Sequence, residues 1–592
     1  MMDSLSLCSA VKKITFPASI TVTSTTPQIH SSLLSSSSSS SSSVLSEAVV
    51  IAECELHIAP DAKVYGDGFQ MLSQTAGTFA HPKAIGRCPD NNAEYRIYPQ
   101  AANQRYYNYL VIEDGERYVL FGFTSCHRFA GYFECQDNKI IVCIDGENCA
   151  IPADETNHIS LENWVVLSSE TLADLYTRYA ALINIDHPSK KNTTQAAPIG
   201  WCSWYAYYAG VSAADIQRNV DHMQGDNHDI EWVLLDDGYQ AFMGDWLSPS
   251  DHFSGGVQQV LTALKAQGKK VGIWLAPFIA EPKSTIFRQH PEWFVRDVDG
   301  ELLRADKVTY GGWRCTPWYI LDTSHPEVLV HLTHVVKTMQ QQWGVDLFKL
   351  DANYWGTLKG QRYQSSCTGV EAYRLGMKAI AEGAGDAWLL GCNAPMWPSL
   401  GLVDAMRVSD DVERNSYRFN QIAKETFYRS WQHRQLWQID PDCATFIDLQ
   451  QTNNVEAQAA DSHSYSFHRN ALLASGGLLL SGDPLAQWNS FAHQSFLQLV
   501  QRQHYSQQAA VFDDLNLTTA KLPLNHSDGS VQQLQFVFNY IDEPAKTVTL
   551  HAGQATDWFD YWSGECVAKN SQTYKVFLVA GLASHVVYTV SR

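Results

Sequence analysis

The 592-residue sequence contains no run of 18 apolar residues, so a helix able to cross a membrane is not expected. Its first residues carry Asp3 and the Lys12-Lys13 pair in place of an unbroken apolar stretch with a cleavage site, so no secretory leader is expected. Basic residues are in deficit: 42 Lys and Arg face 62 Asp and Glu, a formal charge of −20. That deficit argues against nucleic acid and against a membrane surface as partners, since both need basic patches, and it suits a neutral ligand. Thirteen cysteines, an odd number, are scattered without CxxC pairs or zinc spacing, and they read as reduced thiols of a cytoplasmic protein. HxH and HExxH are missing, and His463 and His468 lie five apart, on different sides of a helix, so no metal is expected. GxxxxGK[ST] and GxGxxG loops are missing too, which argues against nucleotide chemistry. The chemistry therefore has to come from side chains, without a cofactor. The sequence leaves a homo-oligomer open.

Aromatics are abundant, with 18 Trp and 27 Tyr. A flat indole face packs well against the C–H face of a pyranose, although most of these rings are needed to fill a core. Residues 1–170 read as an antiparallel β-sandwich, with strands such as 117–123 and 139–144 bounded by the turns Glu113-Asp114-Gly115 and Asp145-Gly146. The serine run Ser35 to Ser43 is low-complexity and reads as a surface loop. A helix from about Glu170 to Ile183 and a polar, Pro-containing segment make 171–198 a linker. The tail, 508–592, returns to β texture and reads as a small antiparallel domain.

Between them, residues 199–507 alternate strand and helix. Strands are expected at 199–204, 231–235, 270–275, 347–350, 388–391, 404–408, 436–439 and 477–483. Helices are expected at 212–223, with Ser212 as N-cap, at 257–267, and before Trp343-Gly344. Eight such units predict an α/β fold, a (β/α)8 TIM barrel flanked by the two β domains. Reactive groups recur at the expected C-terminal strand ends: Trp204, Asp236, Asp237, Lys349, Asp351, Cys392, Arg407, Asp411 and Asp440. A barrel keeps its chemistry at those ends. Lys349 and Asp351 are two apart on a strand, so they point to one side. Read alone, that pair suits a structural ion pair equally well.

Carboxylates with one lysine, one arginine and aromatic platforms suit glycoside chemistry, which needs a nucleophile and a second carboxyl that gives and then takes a proton. In the retaining version the two lie about 5–5.5 Å apart. On this reading, Asp411, with Asp410 beside it and Asp351 opposite, has a raised pKa as a general acid requires.

The stretches Gly200-Trp201-Cys202-Ser203-Trp204-Tyr205, Leu235-Asp236-Asp237-Gly238-Tyr239-Gln240 and Gly244-Asp245-Trp246-Leu247 follow one another in that order. Trp274-Leu275-Ala276-Pro277-Phe278, Phe348-Lys349-Leu350-Asp351, Gly391-Cys392-Asn393-Ala394-Pro395 and the run 401–412 continue the series. Over some 300 residues this series resembles the α-galactosidase clan of glycoside hydrolases, in particular the melibiase and raffinose-synthase-like family. The resemblance implies Asp351 as nucleophile and Asp411 as acid/base. The spacing from Arg407 and the following Val412 favour Asp411 over Asp410, which then belongs to the pocket. It also implies Asp236, Asp237 and Lys349 as ligands of sugar hydroxyls, with Arg407 and Cys392 lining the same pocket and Trp201, Trp204 and Trp246 as wall candidates. Asp440 and Asp442 read as helix caps or supports. The implied activity is retaining hydrolysis of a terminal α-galactoside in an oligosaccharide. Transfer to a sugar acceptor, or action on an N-acetylgalactosaminide or arabinopyranoside, uses the same carboxylates. A non-catalytic sugar-binding protein would be marked by loss of a carboxylate, and both are present. Relatives often carry small residues after the fifth-strand cysteine, where this chain has Asn393, Met396 and Trp397.

Overall fold

The computed structural model describes residues 11–15, 20–22, 27–30, 42–56, 58–88, 90, 103–115, 117–136, 139–155, 158–449 and 461–591. Most of the serine run therefore lies outside the described residues. Its end does not read as a loop: Ser42 and Ser43 open a short strand, Ser42–Val44, that pairs with Ala150–Pro152.

Eight parallel strands form one sheet: β1 (Ile199–Cys202), β2 (Trp232–Leu235), β3 (Lys270–Leu275), β4 (Leu347–Leu350), β5 (Trp388–Gly391), β6 (Ala405–Arg407), β7 (Gln438–Asp440) and β8 (Leu479–Ser481). Their order is β7-β6-β5-β4-β3-β2-β1-β8. Between β7 and β8 the Leu478 N–H donates to the Ile439 carbonyl at 3.0 Å, and Ala444 bridges Ser481, so the sheet is nearly closed. This is the barrel that the eight strand–helix units predict. The strands are short apolar runs because both faces are covered.

The helices start and stop where local chemistry directs. Helix α1 (Ala213–Asp221) begins in a capping box made by Ser212 and Asp215. Helix α2 spans Val257–Ala266. Helix α3 (Pro326–Trp343) has Pro at its start and ends on Gly344, whose φ of 74° suits glycine. A second capping box, Thr368 with Glu371, opens α4 (Gly369–Ala384). Helices α5 (Ser416–Arg429), α6 (Ser462–Ser475) and α7 (Ser490–Tyr505) complete the set. Among the described residues no helix is long and apolar enough to cross a membrane. None of the twelve described cysteines forms a disulfide.

The chain divides into two compact units: 1–192 with 237–266 and 271–405, and 193–236 with 267–270 and 406–592. In the first, a ten-stranded sheet precedes the barrel strands. Its strands Gln104–Asp114, Arg117–Phe123 and Trp164–Ser169 pair antiparallel. The helix Leu172–Asp186 lies on them, with the Tyr179 hydroxyl donating to the Phe123 carbonyl at 2.7 Å. Gly122 permits that approach, because a Cβ there would lie 2.4 Å from the Tyr179 ring. In the second unit, six antiparallel strands follow the barrel. Their core is Trp558 with Val537, Leu550, Val576, Leu578 and Val587. Each such side chain contributes about 1.5–3 kcal/mol by leaving water.

Candidate active site

In the first unit the site is built outward from β4. Its last sheet bond is the Asp351 N–H to the Leu275 carbonyl at 2.7 Å, after which Ala352 turns the chain with φ of 53°. A non-glycine residue in that region is held there by its surroundings, a common feature of functional sites. Trp274 and Lys349 are register partners, so their side chains share a face with Asp351 two residues on. The Trp274 indole N–H accordingly donates to Asp351 Oδ2 at 3.0 Å. Asp351 Oδ1 accepts from the Ala352 N–H at 2.6 Å and from Asn393 Nδ2 at 2.9 Å. Three donors thus fix the carboxylate in place. Lys349 and Cys392 are buried at the ends of β4 and β5.

Asp237, after β2, accepts from Arg314 Nε at 2.7 Å, from a second Arg314 nitrogen, from Trp313 Nε1 at 3.2 Å and from Gln240 at 2.7 Å. Trp313 meets Trp274 edge-on at 6.3 Å between ring centres, and Trp246 meets Trp274 likewise at 5.8 Å. Asp351, Trp274, Trp313, Asp237, Arg314 and Trp246 therefore form one connected cluster. Trp313 and Arg314 were missed in the sequence because they sit in the long insertion 276–324. The only signal there was an aromatic–arginine pair, Trp313-Arg314, following Gly311-Gly312.

The three unusual residues after β5 have separate roles. Asn393 alone touches Asp351, with φ of 40° and a buried Oδ1 that has no partner among the described residues. The Met396 N–H donates to the Phe69 carbonyl at 2.9 Å, and Trp397 Nε1 to the Phe123 carbonyl at 2.7 Å. Trp397 also lies 5.4 Å from the Tyr109 ring. Met396 and Trp397 fasten the β5 loop to the N-terminal sheet.

In the second unit Arg407 closes β6 and aims its guanidinium at three acceptors. Nη2 donates to Asp411 Oδ1 at 2.8 Å, to Asp442 Oδ2 at 2.5 Å and to the Asp410 carbonyl at 3.0 Å. Asp442 also accepts from the Tyr205 hydroxyl at 2.5 Å and from the Val412 N–H at 2.6 Å. Burial above all, then the Asp411 and Asp442 carboxylates, pushes the Tyr205 pKa well up, so Tyr205 stays a donor. Asp442 thus anchors the loop that carries Asp411; Asp440 holds the Asp442 N–H at 3.0 Å.

The two adjacent aspartates differ sharply. The Asp411 side chain is 46% exposed on one face of Arg407. That of Asp410 is 3% exposed and is taken up by Arg418 at 2.5 Å, Gln421 at 3.0 Å and the Asp411 N–H at 2.8 Å. Arg418 offsets the Asp410 charge, so Asp410 is a weak source of the like-charge repulsion expected at Asp411. Beneath it Glu425 accepts the Asp410 N–H at 2.8 Å, and burial, then Asp410, raises the Glu425 pKa to about 7.

The tryptophans divide too. Trp201 is fully buried and donates to the Asp483 carbonyl at 2.9 Å, a core role. Trp204 is half-buried, edge-on to Tyr208 at 5.2 Å. Asp236 is buried, with the Cys202 thiol 3.6 Å from Oδ2 and its N–H on the Ser203 hydroxyl.

Comparison with known proteins gives this geometry a context. The bifunctional α-galactosidase/sucrose kinase AgaSK of Mediterraneibacter gnavus is 22% identical over 243 residues, 38% of this chain and 24% of that one. An α-galactosidase of Escherichia coli is 32% identical over 131 residues, 21% of this chain and 17% of that one. The chain spans about a quarter or less of the length of the curated relatives it matches. Among solved structures, the α-galactosidase TtGalA of Thermus thermophilus, in complex with p-nitrophenyl α-D-galactopyranoside, superposes with a TM-score of 0.64 at 19% identity, covering 86% of this chain and 94% of that one. The GH36 α-galactosidase AgaA of Geobacillus stearothermophilus gives 0.64 at 13% identity, covering 91% and 76%. At those identities the likeness is one of fold. The model of the melibiase family matches residues 160–386. That segment, which runs from the end of the N-terminal sheet past Asp351, is similar to the melibiase family.

Proposed function

We propose that this protein is a retaining α-galactosidase acting on terminal α-galactosyl units of oligosaccharides, with Asp351 as nucleophile and Asp411 as acid/base. The observation that carries the reading is Asp351 itself: a carboxylate at the end of a buried strand, held by Trp274, Asn393 and the Ala352 N–H. Orientation by fixed donors is what a nucleophile needs, because attack on the anomeric carbon tolerates little misplacement. Asp351 attacks that carbon while Asp411 protonates the departing oxygen, and Asp411 then takes a proton from water to release the sugar. The exposure of Asp411 suits a group that must reach both leaving group and water, and its ion pair with Arg407 holds it in place. Asp237, fixed by Arg314 and Trp313, suits recognition of sugar hydroxyls, as do Asp236 and Lys349. The Oδ1 of Asn393, without a partner among the described residues, can accept from a hydroxyl near the reacting carbon. Trp204 and Trp246 remain wall candidates, whereas Trp201, Cys392, Arg407 and Asp410 act from behind. The domain order is 1–170, 171–198, 199–507 and 508–592, in a cytoplasmic protein needing no cofactor.

The relatives support the choice of sugar. Solved neighbours include TtGalA in complex with stachyose and an AgaA variant in complex with raffinose. The test is hydrolysis of a chromogenic α-galactoside by wild type, Asp351→Ala and Asp411→Ala, with added azide. Both variants should lose activity, and azide should restore turnover in Asp351→Ala with formation of a β-galactosyl azide. A wild-type protein inert towards the galactoside but active on another α-glycoside overturns the sugar assignment. Activity retained in Asp351→Ala overturns the mechanism.

A further inference from the structure

Away from that cluster, the first unit carries a polar cavity of about 330 Å³ beside α4. Its wall includes His127, Arg128, Arg374 and Lys378, with the neutral hydrogen-bonding groups of Gln364 and Ser366. One carboxylate of the wall, Glu371, is engaged by Arg128 at 2.6 Å, which cancels one cation. Arg374 is different. It is only 8% exposed, yet its partners are the carbonyls of Pro398 at 2.8 Å and Leu400 at 3.1 Å and the ring of His187 at 3.4 Å. The two carbonyls take the Nη1 donors; His187, whose Nε2 accepts the Cys126 N–H, carries its proton on Nδ1 and takes none, so Nε–H and the Nη2 donors remain, the kind of edge a phosphate or carboxylate occupies. The next carboxylate, Glu162, whose charge Arg374 feels without forming an ion pair, accepts the N–H groups of His127, Arg128 and Phe129 on Oε1 and the Ser125 hydroxyl on Oε2. Lys378 stands one turn beyond Arg374 on the same face of α4. Neither has a carboxylate within ion-pair distance among the described residues. An adjoining cavity of about 500 Å³ shares Leu375 and Lys378 and adds Lys337 and His334 against the single carboxylate of Glu382.

A surplus of cations on a chain of charge −20 is a local exception. A guanidinium buried without a carboxylate is costly unless an anion completes it. The smaller cavity has room for roughly ten waters at about 30 Å³ each, too much for inorganic phosphate alone. The geometry points to a binding site for a phosphomonoester of monosaccharide size, its phosphate on Arg374 and Lys378 and its hydroxyls on Gln364 and Ser366. The site is independent of the carboxylates assigned to catalysis.

Titration calorimetry of the full chain with glucose 6-phosphate, inorganic phosphate and glucose tests this. The sugar phosphate should bind with 1:1 stoichiometry, inorganic phosphate more weakly, and glucose not at all. Lys378→Glu, at an exposed position that leaves the fold intact, should weaken the sugar phosphate about tenfold or more. An absence of saturable binding by either anion overturns the proposal, as does unchanged affinity in Lys378→Glu. Equal affinity for the two anions overturns the sugar part and leaves a plain phosphate site.

Discussion

Asp410 and Asp411 are neighbours in sequence, but the structure assigns them opposite responses to truncation. Asp411→Ala removes a half-exposed carboxylate whose ion-pair partner, Arg407, keeps Asp442 at 2.5 Å. Little buried charge is left uncompensated, so the stability change should stay within about 1 kcal/mol. Activity should fall about 10²–10⁴-fold, the usual contribution of general acid–base catalysis. Asp410→Ala removes the buried partner of Arg418 and the acceptor of the Asp411 N–H. Breaking a buried pair by removing one member costs about 3–5 kcal/mol. Arg418 retains Glu413 at 2.7 Å, which places the expected loss near the lower end, about 3 kcal/mol. Chemical denaturation together with hydrolysis of a chromogenic α-galactoside reads both quantities on the same preparations. Folded Asp410→Ala protein should keep the larger share of kcat. The reasoning is refuted if Asp411→Ala is the strongly destabilised variant, or if Asp410→Ala is fully stable yet inactive with azide unable to help.

Three further outcomes follow from the buried charges. Glu425 has its folded-state pKa raised to about 7 by burial and then Asp410, so the folded state binds the extra proton. Its contribution is present at low pH and lost as pH rises through about 7; Glu425→Gln should flatten that fall, stabilising the protein at pH 8 on the order of 2 kcal/mol in denaturation curves. His468, stacked on Phe419 at 4.3 Å, and His433 are held neutral by burial, each with a pKa lowered to about 3. Their contribution is complete above the ordinary histidine range and drains away as pH falls from about 6.5 towards 3; replacing His468 by Gln should reduce the acid sensitivity seen in thermal melts across that window. Arg314→Met takes the two-pronged guanidinium away from buried Asp237 and leaves the Gln240 and Trp313 N–H groups donating to it. KM for the galactoside should rise about tenfold or more, and Arg314→Lys should recover only part of it, since lysine lacks the two-pronged geometry; an unchanged KM would remove Asp237 from sugar recognition.

Much of this was legible along the chain. Apolar runs of four to six residues ending on Asp236-Asp237, Asp351 and Arg407 marked barrel strands, because a strand buried on both faces has to be apolar until it reaches the rim. Ser212 and Gly344 marked helix ends through local backbone chemistry alone. Alternation along β4 is enough to put Lys349 and Asp351 on one side. What the chain could not disclose depends on which distant segments meet. That Trp313 and Arg314 come back to Asp237, 77 positions away for the arginine, is decided by how the insertion packs. That Met396 and Trp397 grip the N-terminal sheet while Asn393 alone reaches Asp351 follows from a loop with φ of 40° at Asn393. The partition of Asp410 from Asp411 is of the same kind. Two identical carboxylates one residue apart have the same local propensities, and only the arrival of Arg418 from α5 and Arg407 from β6 makes one a buried support and the other an exposed carboxylate.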